Sequence, residues 1–218
     1  MAWPARPSFR RLVLLALAIA FAAMLDGCGA PRESPLAAGT AVLVVGDSIT
    51  AGYGVDAAEA WPAKLAERTG WNVIAAGVNG DRTAGGRARL PDLLDEHAPA
   101  LVIIELGGND MLRGVGDAEI VANLDAMIAA VRTRGGKVAL IAAPRPTALG
   151  ALTGLAAASF YRETAQRAKI PLIEKALPAV LSDASLKLDA LHPNATGHRA
   201  LAGRAADELV AIGLVAKR

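Results

Sequence analysis

From residue 41 onward, short apolar runs alternate with stretches whose apolar residues recur every three or four positions. Residues 41–45 (AVLVV), 72–76 (NVIAA), 101–106 (LVIIEL), 137–142 (KVALIA) and 170–173 (IPLI) are too short for independent helices and rich in Val, Ile and Leu, so they predict buried strands. Between them, residues 59–69, about 84–96, 117–134 and about 155–168 show helical spacing, and 194–212 predicts a closing helix. Gly70 and the Gly135-Gly136 pair stand where helix C-caps belong. Strict alternation of strand and helix, with strands apolar on both faces, implies an α/β three-layer sandwich: a mostly parallel five-stranded sheet covered by helices on both sides. Ligands in such sheets bind beyond the carboxyl ends of the strands, at a topological switch point. The residues that follow each strand are therefore the first candidates for chemistry.

Ahead of this pattern lies a different one. Arg6, Arg10 and Arg11 precede an apolar run over 12–25, which is short for a membrane span and matches the h-region of an export signal. The run ends in Leu25-Asp26-Gly27-Cys28, similar to the bacterial lipobox, where the Cys becomes the lipidated first residue; Asp26 is unusual there. Cys28 is also the only cysteine, so no internal disulfide is possible. The expected organisation is a signal peptide over 1–27, a flexible tether over 28–40 and one folded domain over 41–218. Cleavage by an ordinary signal peptidase, or retention as an uncleaved anchor, also puts the domain outside the cytoplasm. Gly29 rather than Asp after the Cys is similar to lipoproteins sorted to the outer membrane. Without Arg6, Arg10, Arg11 and Asp26, the chain from Cys28 carries 20 basic and 20 acidic residues, which gives no footprint for nucleic acid.

The strand ends carry Gly and small polar groups: Gly46-Asp47-Ser48 after the first, Gly77-Val78-Asn79-Gly80-Asp81 after the second, Gly107-Gly108-Asn109-Asp110 after the third. Asp189-Ala190-Leu191-His192 follows the fifth and precedes the last helix. Acyl transfer needs this set. A serine hydroxyl needs an adjacent base, which His192 can supply to Ser48. Asp189, three residues earlier, is close enough in a turn to hold the other ring nitrogen. The backbone N–H groups of Ser48 and Gly80 and the Asn109 amide can form the oxyanion hole, and Gly80 lets substrate approach the backbone. Asp47 and Asp110 are expected to pin loops. His198, on the last helix, and His97, in a loop beside Pro99, are expected to be solvated.

GDSI at 46–49, GVNGD at 77–81, GGND at 107–110 and DALH at 189–192 resemble, in order and spacing, the four blocks of the SGNH (GDSL) hydrolase family. The resemblance covers nearly the whole chain from Ala41 and implies a flavodoxin-like fold and ester hydrolysis. It is most like the bacterial thioesterase I, protease I or lysophospholipase group, through AGYGV, AWPAKL, ARLP and ELGGNDMLRG. Two stretches depart from that group: Asn79-Gly80-Asp81-Arg82, and residues 144–158, where a loop in that group helps shape the acyl pocket.

No cofactor is implied. The His residues are far apart and the lone Cys belongs to the anchor, so a metal site has no support. There is no G-x-G-x-x-G after a strand, no Walker lysine motif and no G-x-S-x-G elbow. Three functions remain: a broad esterase, thioesterase or lysophospholipase acting on acyl esters, an O-acetyl esterase of envelope glycans, or a catalytically idle binding lipoprotein. Apolar residues over 149–155 favour acyl chains.

Overall fold

The computed structural model describes residues 33–146 and 154–217. Five parallel strands form one sheet: β1 (Ala41–Gly46), β2 (Asn72–Gly77), β3 (Leu101–Glu105), β4 (Lys137–Ile141) and β5 (Leu172–Ile173), in the order β2-β1-β3-β4-β5. That is the flavodoxin-like order, with its switch point between β1 and β3. In β3 every residue is buried, as expected for a central strand covered on both faces. By contrast β2 lies at the sheet edge and is half-exposed, so the expectation of strands apolar on both faces fails there.

The helices follow from the connections. Between β1 and β2 the chain forms α1 (Ser48–Ala51) and α2 (Trp61–Thr69); α3 (Thr83–His97) leads to β3. After β3 come α4 (Gly108–Leu112) and α5 (Asp117–Thr133), then α6 (Ser159–Ala168) before β5, and α7 (Ala176–Ser182) and α8 (Ala195–Ile212) after it. Right-handed crossovers put α3, α5 and α6 on one face and α2 and α8 on the other. Asp117 and Glu119 in the first turn of α5, and Arg132 in its last, complement the helix dipole. Asn194 caps α8 through a 2.9 Å bond to Gly197 N, and Gly213 ends that helix.

The core is continuous through the sheet, with Trp61, Tyr161, Leu43 and Ile103 fully buried. Emptying a position such as Leu43 would cost about 2–5 kcal/mol. The helix expected from 155 begins only at Ser159, because Ala157 pairs with Pro144 in an antiparallel bridge. His97 is the last residue of α3 rather than part of a loop. Residues 33–40, assigned by composition to the tether, are mostly exposed but touch the domain at several points. Glu33 N and Leu36 N donate to the carbonyls of Ile212 and Leu214, partly buried Leu36 packs against the core, and Glu33 pairs with Lys137. The signal segment, Cys28 and most of the apolar stretch 149–155 lie outside the described residues.

Candidate active site

Ser48 opens α1 directly after β1, at the switch point. Its Oγ lies 3.0 Å from His192 Nε2. The other ring nitrogen, Nδ1, lies 2.8 Å from Asp189 Oδ2 and 3.0 Å from Oδ1. Hydrogen bonding from His192 holds the Asp189 carboxyl below its usual range. An ionised carboxylate can only accept, so Nδ1 carries the proton and Nε2 is left to accept from Ser48. Asp189 Oδ1 also accepts from Leu191 N at 2.7 Å and His192 N at 2.8 Å, which fixes the turn that presents the ring. Tyr53 packs on His192 with ring centroids 4.4 Å apart.

The three groups proposed for the oxyanion hole sit on neighbouring loops. Among the described residues, the N–H groups of Ser48 and Gly80 make no hydrogen bond. Gly80 holds φ +73° at the third position of a turn closed by Asp81 N to Val78 O, a geometry that favours glycine. Two arginines tie this loop down. Arg113 Nη1 donates to Gly80 O at 2.9 Å, and Arg89 bridges Asp81 Oδ2 and Gly46 O at 3.0 Å each. Asn109 lies near the start of α4, and one of its amide hydrogens is held by Asp47 Oδ2 at 2.9 Å.

Asp47 therefore does more than cap α1 through Ile49 N. It is 4% exposed, and burial pushes its carboxyl up to about 6 despite the nearby His192 charge. Beneath it lies Glu105, at the carboxyl end of β3, buried and accepting from the Thr50 hydroxyl at 2.9 Å. Burial, and then the Asp47 charge, hold the Glu105 carboxyl well above the ordinary carboxylate range. Gly46 makes this close approach possible: a Cβ there would run into Thr50 Oγ1 and come within 2.8 Å of Glu105 Oε2. Asp110 pins the start of α3, as expected, accepting from Thr83 N at 2.9 Å and Thr83 Oγ1 at 2.6 Å.

Sequence reasoning missed Glu105, which stood inside an apolar strand run; a lone acid in such a run is the signal that could have found it. It also misread His198. That ring is fully buried between α8 and α2, with Trp61 N donating to its Nδ1 at 3.2 Å.

Beside Ser48, His192 and Asn109 opens a cavity of about 530 Å³. Ile49, Leu112, Leu155, Leu177, Leu181 and Leu191 supply much of its wall. Of the large apolar side chains left most exposed among the described residues, Tyr53, Val78, Leu188 and Leu191 lie on loops at this end of the sheet and Leu112 ends α4.

Known proteins are similar to this chain in sequence and in fold. The GDSL-like lipase/acylhydrolase family model matches residues 44–200. Esterase TesA of Pseudomonas aeruginosa is 39% identical over 179 residues, covering 79% of this chain and 89% of the relative. Thioesterase 1/protease 1/lysophospholipase L1 of Escherichia coli is 34% identical over 167 residues, 72% of this chain and 77% of that one. A crystal structure of TesA superposes with a TM-score of 0.71 at 35% identity, over 79% of this chain and 99% of the other. A match that runs from within β1 into α8 takes in every strand of the sheet, and this chain belongs to the GDSL-like lipase/acylhydrolase family.

Proposed function

We infer that this protein cleaves carboxylic esters, and thioesters by the same chemistry, through an acyl-Ser48 intermediate. An ester hydrolase of the GDSL type is what the family match and the relatives named esterase and thioesterase support. The observation that carries the reading is the Ser48–His192–Asp189 chain of hydrogen bonds opening on an apolar cavity. Ser48 Oγ attacks the carbonyl carbon as His192 Nε2 takes its proton. The oxyanion of the tetrahedral intermediate is met by Ser48 N, Gly80 N and the Asn109 amide. The alcohol or thiol leaves with the proton from His192, and water, activated by the same ring, releases the acid.

The apolar wall favours acyl chains as the acid half, in agreement with a lysophospholipase or broad esterase more than a glycan deacetylase. We also propose that the chain is exported and lipidated at Cys28. Residues 33–40 enter at the amino ends of the strands, opposite Ser48. Five residues from Cys28 to Glu33 reach at most about 17 Å, so such an anchor would turn the catalytic face away from the anchoring membrane. Mass spectrometry of the mature N-terminus tests the anchor; an unmodified terminus downstream of Cys28 refutes it.

The test of the activity is a fluorophosphonate label. It should appear on Ser48 alone and vanish in Ser48→Ala together with hydrolysis. Profiling p-nitrophenyl esters from acetate to palmitate, beside acyl-CoA, lysophospholipid and acetylated glycan, should show a preference for acyl chains. Labelling of Ser48→Ala, or turnover of acetylated glycan alone, would overturn the corresponding part.

A further inference from the structure

The polar atoms around the cavity differ in how far they are committed. Asp47 is occupied by Ile49 N and Asn109, and Glu105 by the Thr50 hydroxyl. Both oxygens of Asp189 serve its own turn and His192. Ser182 Oγ donates to Pro178 O and accepts from Leu155 N, each at 2.7 Å. Lys187 is the exception. It lines the cavity and is half-buried, yet among the described residues its ammonium makes no hydrogen bond or ion pair. A lysine seldom buries its stem without a paired charge or open solvent for its head.

We propose that Lys187 binds an anionic group of the substrate, a carboxylate or a phosphate monoester, so that the preferred ester joins one apolar chain to one negative charge. This rests on the reading of Ser48 as nucleophile. The cation is mounted with the base. Lys187 pairs with Pro193 in an antiparallel bridge, Leu188 N donates to His192 O at 2.8 Å, and Asn194 Nδ2 holds Lys187 O at 3.2 Å. An anion held by Lys187 is thereby fixed in register with the scissile carbonyl, which is the condition for binding energy to assist turnover. Burial raises the carboxyl of Glu105, which also lines the cavity, well above the ordinary carboxylate range and so disfavours an opposing charge there. The fixed negative charge of Asp189 is spent on His192.

The anion could sit on either half of the ester, and two matched pairs separate the sources. Mono-4-nitrophenyl suberate against 4-nitrophenyl nonanoate puts it on the acid half; 1-octanoylglycerol 3-phosphate against 1-octanoylglycerol puts it on the alcohol half. The readout is the ratio of kcat/KM, anionic over neutral, so a loss of folded protein divides out. One of the two ratios should fall about tenfold in Lys187→Gln, the loss of one charge-assisted contact, and further in Lys187→Glu. The same ratio should fall in the wild type as salt is raised, since the contact is partly exposed. Calorimetric binding of the anionic esters to Ser48→Ala, with and without Lys187→Glu, reads the contact without turnover. Hydrolysis persisting in Ser48→Ala would sink the nucleophile reading, and the effect of Lys187→Glu on anion binding would still decide this one. Ratios and affinities unchanged by Lys187→Glu in both pairs overturn the proposal.

Discussion

The Asp47 carboxylate and the Asn109 amide meet at 2.9 Å across the gap between β1 and β3. Because a carboxylate only accepts, this contact settles which end of the amide is nitrogen, and it leaves the second N–H for the cavity that Asn109 lines. Orientation of an oxyanion donor is worth as much as its presence, since only a donor already aimed costs no reorganisation during reaction. Asn109→Ala should lower kcat by about 10²-fold with little change in KM. Asp47→Ala should lower kcat by about tenfold or more through misaiming. The two losses should not add. Once Asn109 is gone, Asp47 has no amide to aim, and the double variant should resemble Asn109→Ala. Additive losses, measured as kcat in a double-mutant cycle, would show that Asp47 acts on something else.

Asp189 does two jobs with separate atoms. Its Oδ1 holds Leu191 N and His192 N, whereas Oδ2 makes the shorter contact with the ring. Asp189→Asn can keep Oδ1 as an acceptor and so preserve the turn, while losing the preferred tautomer. In a comparable triad that change lowers kcat by about 10⁴-fold. Here the carboxylate side chain is 46% exposed, so solvent can replace part of its effect and the loss should be smaller. Its carboxyl lies below the usual range, so the wild type should keep Asp189 ionised to lower pH than an ordinary aspartate. Near wild-type kcat in Asp189→Asn across pH 6 to 9 would reduce the triad to a Ser48–His192 dyad.

Glu105 should make the fold pH-dependent in a defined direction. Burial raises its carboxyl well above the ordinary 4.5, so its contribution is favourable in acid and is lost as pH rises through the folded value. Glu105→Gln keeps an acceptor for Thr50 and removes the charge. The variant should gain thermal stability over the wild type as pH rises from 5 to 9, with the two converging in acid. A constant offset across that range would mean that Glu105 does not titrate with unfolding.

The sheet was legible because its central strands are continuous apolar runs, and a parallel order leaves the Gly-rich segments at one end. Ser48 and His192 were legible as residues that follow strands. The short helices α1, α4 and α7 were not, since four to seven residues cannot display a helical period. The edge position of β2 depends on pairing order, which composition does not encode. Glu105 was hidden because its partners, Thr50 and Asp47, belong to a distant stretch. The inward face of α8 is built largely of small residues, Gly197, Ala202, Ala205 and Ala206, so the pattern did not mark His198 as buried.

That burial gives His198 a measurable consequence in acid. Its Nδ1 accepts from Trp61 N, so the neutral ring carries its proton on Nε2, which has no partner among the described residues. Protonating Nδ1 would set one donor against another in a site closed to solvent. Burial, then the charge of His192, lowers the group from the ordinary 6.5 to about 4. The sign follows from linkage. Between those values the unfolded chain binds a proton that the folded chain refuses, so stability falls as pH drops from 6.5 towards 4. At 1.36 kcal/mol per unit, the whole window is worth about 3 kcal/mol, or about 6–12 °C in Tm for a chain of this size. Carboxylates also titrate in this range, so the comparison must be with His198→Gln, whose side-chain oxygen can still accept from Trp61 N. The substituted protein should lose less stability than the wild type between pH 7 and pH 4, with the curves separating below 6.5. Parallel melting curves for the two proteins over that interval would show that His198 takes its proton without opening the α8–α2 contact.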